Sequence, residues 1–294
     1  MWGGERRSVS ISTGKERLMS EENRKAIRIS VRNLVEFVLR SGDIDNRRSG
    51  NAQKDAMLAG GRIHRKIQKR MGSGYRAEVP LKHEVQDEEQ EITLLVEGRA
   101  DGIFTENGIP VIDEIKGMYT DISRLEEPIE VHLAQAMCYG YFYCCDKDLD
   151  GIRLQMTYCN LETEEIKRFQ TDRSREELET WFSSVVHEYF KWARYLYHHE
   201  LTRDASIGHL EFPFPYRAGQ RDLVVSVYRT VSRKKRLFIQ APTGIGKTLS
   251  TVFPAVRAIG EGKGDKLFYF SLSIGGRTSL SMTIFCKQCR IGNR

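Results

Sequence analysis

VEGRADGIF, residues 96–104, and VIDEIKG, residues 111–117, are the most informative stretches of this sequence for its architecture. Both are rich in apolar residues, and the polar turn ENG at 106–108 separates them. This arrangement predicts two adjacent strands joined by a short turn. Asp101 lies in the first stretch and Glu114 in the second, so their carboxylates can converge.

The side chains of the second stretch, residues 111–117, are expected to lie alternately on the two faces of a strand. Because strand side chains alternate faces, Glu114 and Lys116 point to one side. Asp113 and Ile115 point to the other. The carboxylates of Asp101 and Glu114, with the Ile115 carbonyl as a third ligand, could hold a divalent cation. Lys116 could then hold a water or stabilise developing charge. The alternative is that these are solvated strand carboxylates beside a lysine, which are common.

Two predicted helices supply further candidates. HLAQAMCYGY at 132–141 predicts a helix on which Gln135 and Tyr139 share one face. They could orient a site, or they could pack within an aromatic-rich helix. A helix predicted over about 53–71 places His64 on an apolar face. A histidine in that setting is either a core residue or a metal ligand.

The order of predicted elements indicates an α/β domain over residues 28–203, with a mostly antiparallel set of strands. Residues 1–27 are polar and without periodicity, so a disordered extension is expected there. A second unit is predicted over 210–272, followed by an atypical Ser/Thr-rich tail at 273–294.

The charge of the chain is uneven. Residues 1–75 carry 17 Lys and Arg against 8 Asp and Glu, whereas the whole chain of 294 residues has a net charge of only +6. A basic segment favours a polyanion such as nucleic acid, although a solvated surface explains it equally well. No apolar run is long enough for a membrane span, and the N-terminus has no secretory signal pattern. A cytoplasmic protein that does not engage membranes is therefore expected.

LFIQAPTGIGKTLS at 237–250 has the pattern of a phosphate-binding loop. Leu237–Ile239 predicts the strand before the loop, and a helix is predicted from the end of the loop onward. In such loops glycines let backbone amides wrap a phosphate, while the lysine reaches the terminal phosphates and the hydroxyl coordinates Mg²⁺. The predicted ATP-binding residues of the loop are Ala241, Pro242, Thr243, Gly244, Ile245, Gly246, Lys247 and Thr248.

Over about residues 28–200 the chain resembles the RecB-like branch of the PD-(D/E)XK nuclease superfamily. The motifs that carry the resemblance are GRIH at 61–64, GRAD at 98–101, DEIK at 113–116 and QAMCY at 135–139. The resemblance implies a restriction-endonuclease-like fold. It also implies roles for six side chains: His64, Asp101 and Glu114 bind Mg²⁺ or Mn²⁺, Lys116 is catalytic, and Gln135 and Tyr139 orient the site or the DNA strand.

The cysteines occur at positions 138, 144, 145, 159, 286 and 289. Their spacing indicates neither a secreted disulfide framework nor a finger-type zinc site. Some members of the RecB-like branch hold an iron–sulfur cluster with one cysteine near the N-terminus. Because the first cysteine here is Cys138, no cluster is expected.

FPFPYRAGQRDLV and PTGIGKTLSTVFPAV resemble DinG/XPD-type superfamily 2 helicases, over about residues 211–272. This resemblance implies a P-loop (RecA-like) lobe in which Gln220 recognises adenine. The downstream acidic motif and second motor lobe of that family are absent, so weak ATP binding and no unwinding are expected. The change of composition near residue 272 suggests a frameshift or a premature stop.

The sequence therefore predicts a metal-dependent DNA nuclease domain joined to the ATP-binding start of a DNA helicase, of the repair and recombination type. The expected partner is DNA that is single-stranded or has free ends. Two alternatives are a non-catalytic fragment that binds single-stranded DNA and a nonfunctional truncated helicase product.

Overall fold

The structure is a computed structural model, and it describes residues 25–42, 50–89, 91–242, 244–274 and 277–285. The chain divides into two compact units between Arg194 and Tyr195. This boundary lies inside a long helix, Arg175–Gly208, whereas the sequence predicted a domain end near residue 203. The long helix continues through the predicted limit because no helix-breaking residue interrupts it before Gly208.

The first unit contains a mixed sheet and helices. Its elements in chain order are β1 (Lys25–Ser30), α1 (Val31–Val38), α2 (Gly50–Arg70), β2 (Arg76–Gln86), β3 (Ile92–Glu106), β4 (Ile109–Met118), a short 3-10 helix (Ile122–Arg124), α3 (Glu130–Lys147), β5 (Gly151–Asn160), β6 (Ile166–Ser174) and α4 (Arg175–Gly208).

Strand β1 includes residues 25–27, the last three residues of the predicted disordered extension at 1–27. It begins at Lys25, three residues before the predicted start of the domain, and residues 1–24 lie outside the described part of the chain. The strand forms because it pairs in parallel with β3, from Lys25 opposite Ile92 to Ser30 opposite Glu97. This pairing joins segments far apart in sequence, so local patterns did not reveal it.

The sheet has the order β1-β3-β4-β5-β6, and β2 pairs with β3. It is a mixed sheet in which most pairs are antiparallel, as predicted: β2–β3, β3–β4 and β5–β6 are antiparallel, and the β1–β3 and β4–β5 pairs are parallel. The predicted β3–β4 hairpin is present, with its turn at Asn107 and Gly108. Both turn residues have positive φ, which asparagine and glycine tolerate best.

Strand β3 has a gap along one edge. Strand β2 covers its other edge almost throughout. On the gapped edge, residues 92–97 pair with β1, and residues 102–106 pair with β4. Within the described chain, residues 98–101 therefore have no strand partner on this edge. These four residues are the GRAD motif.

Helices pack on both faces of the central strands. On one face, Ile63 and Ile67 of α2 bury themselves against Ile115 of β4 and Cys159 of β5. On the other, α3 packs so closely that a Cβ at Gly140 would lie 2.8 Å from a Leu154 methyl carbon. The sheet is thus sandwiched where β4 carries its charged residues.

Helix α4 begins with the capping box that Ser174 and Glu177 predict. The Glu177 backbone N–H donates to the Ser174 hydroxyl at 3.1 Å, and the Ser174 N–H donates to the Glu177 carboxylate at 2.8 Å. Two backbone donors at the start of α4 are satisfied in this way.

The second unit contains α5 (Gln220–Ser232), α6 (Lys247–Gly260), β7 (Lys266–Ile274) and β8 (Arg277–Phe285). The predicted strand at Leu237–Ile239 is absent, and Phe238 is 94% exposed. In the described part of this unit, strand pairing joins β7 only to β8, so no neighbour supports a strand before the loop. The RecA-like lobe is therefore not confirmed, and strand β8 lies within the predicted tail.

Among the described helices, none combines the length and the apolar character that crossing a bilayer requires.

Replacing Ser174 with alanine should lower the free energy of unfolding by about 1 kcal/mol, because the Glu177 N–H loses its acceptor. Urea unfolding followed by circular dichroism measures this change. Ser183→Ala, at an exposed position inside α4, is the control and should change stability by less than about 0.5 kcal/mol. Equal effects of the two substitutions would show that the capping box contributes nothing.

Candidate active site

The acidic pair lies where β3 and β4 diverge. Gly102 and Asp113 are the last register partners of the β3–β4 ladder on this side. The next residues along the two strands are Asp101 and Glu114, which are not paired. The gap beside the GRAD motif therefore opens at the two carboxylates predicted from the sequence.

The Asp101 carboxylate takes the place of a backbone partner at the divergence. Its Oδ2 accepts a hydrogen bond from the Ile115 N–H at 2.7 Å, and its Oδ1 lies 3.2 Å from Nδ1 of His64. The Asp101 carbonyl accepts a hydrogen bond from Gln68 Nε2 at 3.0 Å. Asp101 thus connects β4 to helix α2.

Glu114, Lys116 and Gln135 form a second connected group. Lys116 Nζ lies 2.7 Å from Glu114 Oε1 and donates to Gln135 Oε1 at 2.8 Å. Glu114 and Gln135 are buried, and the other Glu114 oxygen, Oε2, is buried without a hydrogen-bond partner. The structure therefore brings the β4 pair to helix α3 and leaves one carboxylate oxygen unused.

Tyr139 closes the gap from helix α3. The Arg99 backbone hydrogen-bonds to its hydroxyl oxygen. Arg99 stands opposite Pro80 of β2, which has no N–H to donate. A Cβ at Gly98 would lie 2.6 Å from the Tyr139 hydroxyl oxygen, so a larger residue there would displace the Tyr139 ring. Tyr139 is both a packing residue and a hydrogen-bond partner of the GRAD motif.

Burial is the largest influence on the pKa of Glu114. It raises the pKa of Glu114 to about 7, against the attraction of Lys116 and with the help of the neighbouring Asp101 charge. Burial lowers the pKa of His64, but the hydrogen bond and charge of Asp101 outweigh it, so that pKa is raised. Both shifts favour the protonated form, that of Glu114 because of burial and that of His64 because of Asp101.

The donor set fits a hard cation, although the described residues contain no ready-made cluster of three His, Cys, Asp or Glu side chains. The Asp101 carboxylate contacts His64 and accepts a hydrogen bond from the Ile115 N–H, and one Glu114 oxygen forms an ion pair with Lys116. The unpartnered Oε2 of Glu114 is the observation that favours a cation, because a buried acceptor without a donor is costly.

Two residues near the site were not singled out from the sequence. Gln68 lies one helical turn after His64, and its Nε2 also contacts Glu78 Oε1 at 3.2 Å. His132 lies one turn before Gln135, and burial, then the Lys116 charge, lowers its pKa to about 4. Helical spacing from the chosen residues was the signal that could have identified both.

The loop at 241–248, which the sequence predicts to bind phosphate, leads directly into α6. Gly244 and Gly246 both have positive φ, as a loop that turns tightly into a helix requires. Lys247 Nζ donates to the carbonyls of Ala241 and Pro242 at 3.1 and 3.0 Å. The Thr248 hydroxyl accepts from Tyr269 at 3.2 Å, and Thr243 lies outside the described residues.

Gln220, which the sequence predicts to recognise adenine, lies next to this loop. Its carboxamide oxygen accepts from the Arg217 N–H at 3.0 Å, and a Cβ at Gly246 would lie 2.7 Å from its nitrogen. Ile245 packs 3.7 Å from the Cβ position of Gly219, just before Gln220. The structure thus brings the two predicted nucleotide-binding segments together.

Comparisons with known proteins give partial likenesses. No family model matches the chain. Over 52 residues it is 36% identical to a probable ATP-dependent helicase of Methanocaldococcus jannaschii. The matched segment makes up 17% of this chain and 8% of that protein. The chain thus spans a small fraction of that relative.

Solved structures similar to this one include SSO0001 and an alkaline exonuclease from Laribacter hongkongensis. SSO0001 has 18% identity and a TM-score of 0.36, over 59% of this chain and 81% of that one. The exonuclease has 11% identity and a TM-score of 0.33, and the match covers 60% of this chain and 94% of the exonuclease chain.

In metal-free protein, Glu114 should make stability fall as pH rises. Its pKa is about 7 when folded and about 4.5 ordinarily, so between these values the folded state binds more protons than the unfolded state. The stability that Glu114 contributes to the folded state is therefore fully present below about pH 4.5 and is lost as pH rises to about 7. Glu114→Gln should remove this loss.

Urea unfolding from pH 5 to 8 with chelator present measures the effect as the difference between variant and wild type. That difference should grow in favour of Glu114→Gln as pH rises. Glu84→Gln, at an exposed position on β2, is the control and should run parallel to wild type. Parallel behaviour of Glu114→Gln as well would contradict the raised pKa.

Proposed function

We propose that residues 28–203 form a nuclease that hydrolyses DNA phosphodiester bonds with Mg²⁺ or Mn²⁺. The observation that carries this proposal is the buried Glu114, which has one oxygen without a partner and lies beside Asp101 and Lys116. Without a cation, two adjacent carboxylates in a buried setting repel one another. A cation-binding role accounts for this costly arrangement.

Asp101 and Glu114 would hold the cation, with His64 and the Ile115 carbonyl as further donors. In a strand, the N–H and C=O of one residue face the same neighbour. The Ile115 N–H faces Asp101, so its carbonyl faces the same gap. The bound ion would supply Lewis acidity and lower the pKa of a water.

Lys116 would stabilise negative charge that develops on the phosphate. Its ammonium group is held by Glu114 and Gln135, so it enters the gap in a fixed position. Gln135 orients Lys116 through this bond, and Tyr139 fixes the backbone of the GRAD motif. Lys116 thus has a proposed catalytic role, and Gln135 and Tyr139 have proposed orienting roles.

A polyanionic substrate is supported by the exposed basic face of α2, the helix that carries His64. Its exposed cations are Arg62, Arg65, Lys66, Lys69 and Arg70. Contacts of this kind hold phosphates without reading base sequence. DNA with single-stranded regions or free ends is the proposed substrate, and repair or recombination the proposed setting.

Glu114→Gln and Lys116→Met should each lower cleavage of single-stranded DNA by about 100-fold or more in Mn²⁺. The first removes a negatively charged metal ligand, and the second removes the cation that stabilises the developing charge. Single-turnover cleavage of an end-labelled oligonucleotide measures both effects.

Glu84→Gln and Lys82→Met, which change exposed residues of β2, are matched controls and should retain wild-type rates. Cleavage that survives both site substitutions would mean that another group or a contaminant performs the reaction. DNA binding without any cleavage by wild type would favour the non-catalytic alternative.

We propose, as a second function, that the loop at 241–248 binds a nucleotide. Three observations support it: the positive φ angles of Gly244 and Gly246, the adjacent Gln220, and the partial identity with a probable ATP-dependent helicase. Phe212 and Tyr216 stack at 4.3 Å close before Gln220 and offer an aromatic surface nearby.

Lys247→Ala should weaken binding of a fluorescent ATP analogue by about tenfold or more, because a charged contact with the phosphates is lost. Fluorescence titration of the full chain measures the dissociation constant. The control is Lys235→Ala, which changes an exposed lysine before the loop. An unchanged dissociation constant in Lys247→Ala would contradict this function.

A further inference from the structure

A polar row crosses the sheet at the rung where β3 and β4 diverge. Gly102, Asp113, Gln155 and Gln170 are successive register partners on β3, β4, β5 and β6. Gln155 Nε2 donates to Asp113 Oδ1 at 3.1 Å, and Gln170 Nε2 donates to Gln155 Oε1 at 2.8 Å. Hydrogen bonds therefore connect the row from β4 to β6.

Tyr75 completes the row above Gly102. A Cβ at that glycine would lie 1.8 Å from the Tyr75 ring, so the ring rests directly on the β3 backbone. The ring also stacks on Phe104 at 5.8 Å between centroids, and its hydroxyl donates to Asp113 Oδ2 at 2.9 Å. One side chain thus spans the last β3–β4 rung.

Asp113 is fully buried and is held by three donors. Besides Tyr75 and Gln155, the Thr157 hydroxyl donates to its Oδ1 at 2.6 Å. A buried carboxylate is costly unless hydrogen bonds satisfy it, so its position is determined by these partners. None of them belongs to the proposed nuclease machinery.

Asp113 and its three donors, Tyr75, Gln155 and Thr157, form a clamp that lies beside the acidic pair. Asp101 immediately precedes Gly102, and Glu114 immediately follows Asp113, so the clamp fixes the rung next to the acidic pair. Asp113 and Glu114 point to opposite faces of β4. The clamp therefore lies on the reverse face of β4 from the catalytic carboxylate.

We propose that Tyr75 and Asp113 are positioning residues that set the separation of Asp101 and Glu114 for cation binding and catalysis. This inference rests on the proposed nuclease function. Residues that support metal ligands from behind typically change metal affinity or activity by about 10- to 100-fold when they are altered. A network that only stabilised the fold would change unfolding and leave both quantities unchanged.

Tyr75→Phe tests the proposal, because it removes the hydroxyl and keeps the ring on Gly102. It should lower kcat for Mn²⁺-dependent cleavage and weaken Mn²⁺ binding, and the two effects multiplied together should amount to about 10-fold or more. The KM for DNA should change little. Thr157→Val should act in the same direction, and Thr157→Ser, which retains a hydroxyl, should restore function.

Gln170→Met is the matched control. It breaks the far end of the same row and leaves all three donors to Asp113 in place. Its kcat and Mn²⁺ dissociation constant should equal those of wild type. All assays use the full chain, below the onset of thermal unfolding for each variant, so loss of folded protein does not contribute.

Isothermal titration with Mn²⁺ separates the failure of this inference from the failure of the nuclease function. Normal kcat and Mn²⁺ affinity in folded Tyr75→Phe and Thr157→Val would overturn the inference and leave the nuclease intact. A wild type that binds Mn²⁺ without cleaving would overturn the nuclease, and weaker Mn²⁺ binding in Tyr75→Phe would still support the clamp. A wild type that neither binds nor cleaves would overturn both.

Discussion

The hydrogen bond from the Ile115 N–H to the Asp101 carboxylate is the interaction on which the rest of the site depends. Where two strands diverge, backbone donors lose their partners, and a buried donor without a partner is costly. Asp101 satisfies that donor and at the same time contacts His64 of α2. The need to satisfy the Ile115 N–H thus places the Asp101 carboxylate at the edge of the gap.

The same gap determines what surrounds it. The Tyr139 hydroxyl accepts from the Arg99 backbone on the unpaired side of β3, and Gly98 provides the space for it. Lys116 joins Glu114 of β4 to Gln135 of α3. Each side chain therefore satisfies a group that the diverging strands leave open, and together they surround one unpartnered carboxylate oxygen.

Features set by neighbouring residues were predictable from the sequence. The β3–β4 hairpin, the capping box of Ser174 and Glu177, and the helix that carries Gln135 follow from local alternation, turn residues and helical spacing. The opposite orientation of Asp113 and Glu114 also follows from alternation alone. The convergence of Asp101 and Glu114 could be expected because they lie on adjacent strands. The distances from these carboxylates to their partners could not be expected from the sequence.

Features set by distant residues were not predictable. Strand β1 at Lys25–Ser30 depends on a parallel partner more than sixty residues away. Tyr75 lies between α2 and β2 without any pattern, and only the register of Gly102 with Asp113 gives it a role. Leu237–Ile239 has strand composition, but strand formation needs a neighbour that the described part of its unit does not provide.

Cation binding at Asp101 and Glu114 is tested most directly by an anomalous-difference map from crystals of the full chain soaked in Mn²⁺. A single strong peak is expected between the carboxylates of Asp101 and Glu114, within coordinating distance of Glu114 Oε2. An empty gap at saturating Mn²⁺, with Glu114 still bound only to Lys116, would contradict the claim that this site is built around a cation.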